Sequence, residues 1–182
     1  MTIALCGYAT RWNHIIQHHG TTLMVDHGAF DRTLRSGAKI KLLLNHFDFQ
    51  CVGSTFDNLQ LCSDQHGLAF RYRITDTEDG RTVREMAENK NDCISIGFDF
   101  HGARKAIRCI NGVDVICITD ATLWEIAFLH GYGAGAVYDA YATLKDADYS
   151  KTLRDECSGG KFLYDGVAVN VTRALQKLLN TH

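Results

Sequence analysis

Apolar and polar positions alternate along this chain in short runs, most of them with the two-residue period of a half-buried β-strand. Ile3–Ala9 and Thr21–Asp26 read as the first two strands, and Ile40–Asn45 as a strongly apolar third. Val52–Asp57 and Asn58–Ser63 follow as short strands, and Leu68–Ile74 alternates apolar with basic residues. Asp92–Phe100 alternates most cleanly: Ile94, Ile96 and Phe98 point one way, Cys93, Ser95, Gly97 and Asp99 the other. Ala106–Ile110 and Val113–Thr119 flank Asn111-Gly112, the strongest two-residue hairpin signal. Trp124–Leu129 is the next apolar strand, and the glycine loop His130–Gly135 follows it.

Helical spacing is rarer. It predicts helices over Ala29–Ser36, Thr82–Asn89 and Val137–Leu144, and an amphipathic one over Asn170–Leu179. Gln65-His66-Gly67 and Glu78-Asp79-Gly80 read as turns. Many short strands with few helices give a mostly β, α+β fold with the helices outside, a barrel or sandwich rather than a βαβ ladder. Residues 1–143 form the expected domain. Residues 144–182 are the expected linker and closing helix, with Val171, Ala174, Leu175, Leu178 and Leu179 on one apolar face, packed on the domain or used in assembly.

Composition narrows the picture. With 19 Lys and Arg against 21 Asp and Glu, no basic face for nucleic acid is implied. The longest apolar runs are far too short to cross a membrane as a helix, and the N-terminus lacks the pattern of a signal peptide. The seven cysteines contain no CxxC pair, so a zinc site is not expected and reduced thiols are. There is no proline at all, so every turn falls to other residues, with 16 glycines available.

Three polar residues stand in apolar surroundings: His46 at the end of Lys41–Asn45, Ser95 inside Cys93–Phe98, and Glu125 inside Leu123–Phe128. A nucleophile, a base and an orienting carboxylate are the set an acyl-transfer protease uses, although spacing alone does not bring them together. Each also has an ordinary reading, as a turn histidine, a small strand residue and an edge carboxylate.

Seven strings carry a resemblance. They are Gly7-Tyr8-Ala9-Thr10, Gly28-Ala29-Phe30, Leu43-Leu44-Asn45-His46, Val52-Gly53-Ser54, Asp64–Phe70, Ser95-Ile96-Gly97-Phe98 and Leu123–Ala127. In this order and spacing the chain resembles the prohead, or procapsid maturation, serine proteases of tailed phages over about residues 3–140. The resemblance implies His46 as base, Ser95 as nucleophile and Glu125 as third member, with no cofactor and no metal. It also implies a fold similar to herpesvirus assemblin, a β-barrel surrounded by helices that works as a dimer. The implied substrates are the scaffold segment of a major capsid protein or a separate scaffolding protein, and the enzyme itself. The implied place is the procapsid inside the host cytoplasm.

The chain departs from the family pattern at Ala127, where a hydroxyl residue is usual, and over Leu129–Ala136, where a Pro-Ala pair is usual. Backbone N–H groups at Gly131, Tyr132 and Gly133 are then the expected oxyanion donors. His130, Asp120 and Asp99 are alternatives to Glu125, and Cys93 is an alternative nucleophile. Two other readings stay open. One is an assembly partner that keeps the fold without activity. The other is a nucleotide-binding module built on the glycines after Leu129, although no βαβ unit supports it. The segment Cys157–Gly160 is a candidate self-cleavage region.

Overall fold

The computed structural model describes residues 2–18, 20–89, 94–129, 141–147 and 149–158. The chain is mostly β. Its strands are β1 (Thr2–Arg11), β2 (Ile15–His18), β3 (Thr21–Val25), β4 (Lys41–Leu44), β5 (Phe47–Ser54), β6 (Leu59–Ser63), β7 (Gly67–Arg73), β8 (Ile94–Phe98), β9 (Arg104–Ile110), β10 (Val113–Asp120), β11 (Leu123–Phe128) and β12 (Tyr141–Ala147). The helices are α1 (Asp31–Arg35), α2 (Glu78–Glu88) and α3 (Leu153–Ser158).

Among the described residues the strands pair into three sheets of four, in the orders β12-β1-β7-β6, β2-β3-β10-β9 and β5-β4-β11-β8. Their inner faces meet in one core, where Phe30, Phe70, Tyr72, Leu42, Ile118 and Ile126 are all fully buried. Asn111-Gly112 makes the expected hairpin, with both residues at positive φ (51° and 80°), as a two-residue turn of this twist requires.

Asn58 ties two of the sheets together. Its buried amide accepts from Ser54 N and donates to Val52 O and Arg73 O. Asn58→Ala leaves those β5 and β7 groups short of partners, so it should cost about 2–3 kcal/mol in denaturant unfolding.

Four stretches differ from the sequence expectation. The helix expected over Val137–Leu144 is a strand where it is described: Tyr141–Ala147 pairs antiparallel with β1. Ala142 and Leu144 both join the core, a period of two that pairing with β1 enforces over the helical preference of the local residues. This strand also runs across the expected boundary at 143. The turn expected at Glu78–Gly80 is the first turn of α2, because Thr77 Oγ1 accepts from Gly80 N and caps the helix. The expected linker holds α3, and β2 was not expected at all. The closing helix over Asn170–Leu179 lies outside the described residues.

On the outer face of the first sheet, Cys6, Ala4, Tyr8, Cys62, Ala69 and Leu153 form a second, smaller cluster. Burial pushes the Cys6 thiol up to about 11. A folded value above the unfolded one means the stability is fully present below pH 9.0, the thiol's ordinary value in the unfolded chain, and is lost as pH rises toward 11. The melting temperature should therefore fall faster over that window in the wild type than in Cys6→Ala, as differential scanning calorimetry would read.

Candidate active site

The third sheet carries all three of the polar residues singled out by the sequence. Leu44 of β4 pairs with Phe47 of β5, which leaves Asn45 and His46 as a two-residue turn. Both adopt left-handed backbone, with φ of 53° and 61°. Asn and His tolerate this region better than other side chains, and the pattern is that of a type I′ turn. Asn45 N donates to Phe128 O at 2.8 Å, which fastens the turn to the end of β11.

Glu125 owes its direction to a bulge. The β11–β8 register runs Leu123↔Phe98, then Glu125↔Gly97, leaving Trp124 as the extra residue. In an unbroken strand Leu123 and Ile126 would face opposite sides. The bulge lets both enter the core, at 2% and 0% exposure, and leaves Trp124 55% exposed. Glu125 is then turned away from the core, opposite Gly97 on one side and Lys41 of β4 on the other.

Gly97 makes room for it. A Cβ there would lie 2.2 Å from Glu125 Oε1 and 2.8 Å from its Cγ. Only glycine allows the carboxylate to lie down against the neighbouring strand. Ser95, two residues earlier on β8, projects on the same face as Gly97 and stands opposite Ala127, which in turn stands opposite Leu43. Ser95 is buried, with 6% of its surface exposed.

His46 and Glu125 meet. His46 Nδ1 and Glu125 Oε1 are 2.5 Å apart, although 79 residues separate them in sequence. With Nδ1 donating to the carboxylate, Nε2 is left as the acceptor of a neutral imidazole, the tautomer a general base needs. The side chains are 40% and 13% exposed, so the carboxylate is sheltered and the ring faces solvent. Glu125 Oε2 is buried and has no hydrogen-bond partner. Ser95 shares this sheet face, but no hydrogen bond joins it to His46 among the described residues.

The alternative acids have other partners. Asp120 accepts from Arg32 Nε at 3.1 Å, and Asp99 accepts from Gly102 N at 2.9 Å. His130, Gly131, Tyr132, Gly133 and Cys93 lie outside the described residues. Among the described residues no cluster of three His, Cys, Asp or Glu side chains is placed to hold a metal ion.

A cleft of about 480 Å³ opens beside Glu125 and Gly97, between β8–β11 and the β2–β3 hairpin. Phe47 and Phe49 of β5, which follow His46, stack at 5.2 Å and stand 46% and 81% exposed. Sequence reasoning missed the room that Gly97 makes, the bulge at Trp124 and the left-handed hairpin form of the Asn45-His46 turn. Of these only the turn had a signal: Asn-His between two apolar runs, where a hairpin needs residues that accept positive φ.

A comparison with curated proteins gives no significant match. The family model of the caudovirus prohead serine protease matches residues 1–153. That match takes in the turn, the bulged strand and the serine strand alike, and with 153 of 182 residues inside it the chain belongs to the caudovirus prohead serine protease family.

Proposed function

We propose that this chain is an acyl-enzyme endopeptidase with Ser95 as nucleophile, His46 as base and Glu125 as the orienting acid. One observation carries the reading: the His46–Glu125 hydrogen bond forms on the sheet face that also bears Ser95. In the first step Ser95 Oγ attacks the peptide carbonyl carbon while His46 Nε2 takes its proton. The imidazolium then gives that proton to the leaving amine, and a water deprotonated by His46 releases the acyl group from Ser95. Glu125 holds the ring in its tautomer and stabilises the imidazolium between these transfers. Backbone N–H groups at Gly131, Tyr132 and Gly133 receive the oxyanion.

Family membership supports a role in phage maturation. The substrates are the scaffold segment of the major capsid protein or a scaffolding protein, and the enzyme's own chain near Cys157–Gly160. The enzyme acts as a dimer inside the procapsid, in the host cytoplasm. Packaging beside its substrate supplies the high local concentration that a free protease would gain by long-range attraction.

A fluorophosphonate probe tests the nucleophile. The wild type should take one label, on Ser95, and Ser95→Ala none. His46→Ala should label at least about 100-fold more slowly, the usual weight of a general base. No label on the wild type, or equal label on Ser95→Ala, sinks the reading and leaves an assembly protein that keeps the fold.

A further inference from the structure

The cleft beside Glu125 has a construction that the catalytic residues do not require. Its walls are Leu23 of β3, Ile96 and Phe98 of β8, Phe100, and Trp124 at the bulge. Thr21 and His18 of the β2–β3 hairpin stand across its mouth. The aromatic side is held firmly from behind. Phe98 packs on the fully buried Phe30 with ring centres 5.7 Å apart, and Phe100 lies against Phe98 at 6.3 Å. Lys105 Nζ sits 4.2 Å from the centre of the Phe100 ring, which fixes that ring further.

The cleft is continuous with the candidate active site. Gly97 and Glu125 belong to both, with the Glu125 side chain lying over Gly97 where they join. A peptide held over the dyad therefore runs along the edge of the cleft, where one side chain can turn past Glu125 into it. The volume of about 480 Å³ lies within the usual range of binding pockets, roughly 300–1,000 Å³.

We infer that this cleft is a specificity pocket that takes one large apolar side chain, aromatic or branched, from the peptide being cleaved. The inference rests on the protease reading. The chemistry of the walls selects the class. Five of the lining side chains are apolar, and the one carboxylate, Glu125, is already bonded to His46. An acidic side chain would bring a second negative charge against Glu125 in a sheltered site. A basic one would compete with His46 for the same carboxylate and disturb the dyad. An apolar side chain gains burial without either conflict, about 1.5–3 kcal/mol for Leu, Ile or Phe. That corresponds to roughly 10–150-fold preference over a small residue.

The experiment is a cleavage profile of the wild type on a synthetic peptide library of mixed sequence, read by mass spectrometry. Large apolar residues should be enriched at one fixed position relative to the cut, at least tenfold over Asp and Glu. Thr21→Phe then narrows the mouth from a strand end. Its Phe-to-Ala preference at that position should fall at least tenfold, with a melting temperature like the wild type's. Binding gives a reading independent of turnover. In Ser95→Ala, N-acetyl-leucyl-phenylalanine amide should blue-shift the emission of the exposed Trp124, Trp12 being buried, and N-acetyl-aspartyl-alanine amide should not. Enrichment of Lys and Arg, a flat profile, an unchanged preference in Thr21→Phe, or no spectral response to the apolar amide each overturn the pocket. Failure of Ser95 to take the fluorophosphonate label overturns the protease reading instead.

Discussion

Gly97→Ala should lower kcat/KM by up to about 10⁴-fold while the protein stays folded, the loss seen when an orienting carboxylate is removed from a serine protease. The added methyl would sit 2.2 Å from Glu125 Oε1, the oxygen bonded to His46. The atom in its way is the end of a flexible side chain, not backbone. The strand therefore survives and the carboxylate moves. Glu125 has little freedom to find another useful position, since Ala127 and Lys41 flank it and its outer oxygen is buried. His46 then loses the partner that fixes its tautomer. Pairing the change with Glu125→Asp provides the check. The shorter acid frees the space that the methyl takes, so the double variant should recover part of the activity. A fall in melting temperature as large as the loss of activity, with no recovery in the double variant, would mean that Gly97 serves the fold alone.

Arg71→Met should destabilise the protein by about 3–5 kcal/mol, because it strands a partly buried carboxylate. Arg71 is fully buried on the outer face of the first sheet. Its guanidinium donates to Glu156 Oε1 and Lys151 O, both at 2.6 Å, and to Gln60 Oε1 at 2.9 Å, and it lies 4.6 Å from the centre of the Tyr149 ring. Those contacts hold residues 149–156, including most of α3, against β6 and β7. Removing them leaves Glu156, 17% exposed, with Lys145 at 4.0 Å as its remaining cation among the described residues. At roughly 2–4 °C per kcal/mol for a chain of this size, the melting temperature should drop on the order of 10 °C. Arg84→Met makes the contrast. Arg84 bonds Glu88 at 2.8 Å with both side chains about half exposed, so its loss should cost less than about 0.5 kcal/mol. Arg71→Met with Glu156→Gln should cost less than the sum of the two single changes, since the second removes the stranded charge.

Much of this was legible in the sequence, because local chemistry fixes local geometry. The period of Ile94, Ile96 and Phe98 announced β8 and put Ser95 on its other face. Asn111-Gly112 announced the β9–β10 hairpin, and the oddity of a glutamate among Trp124 and Ile126 pointed to Glu125. The order of the seven strings pointed to the family that the match over residues 1–153 establishes.

The tertiary structure decided the rest. Period two assigns a face to each residue but not a partner strand. That β12 pairs with β1, and that an apparent helix at 141–144 is a strand, follows from a pairing with the opposite end of the chain. The fully buried Arg71 is the same case: nothing near it in sequence calls for a buried cation, and its acid comes from 85 residues away. The dyad needs three features at once: a left-handed turn that swings His46 back over the sheet, a bulge at Trp124 that turns Glu125 outward, and a missing side chain at Gly97. Sequence singled out His46, Ser95 and Glu125 as candidates, because side-chain type and period are local. Only folding decided which of them meet, because strand register is set by what packs on the core from far along the chain.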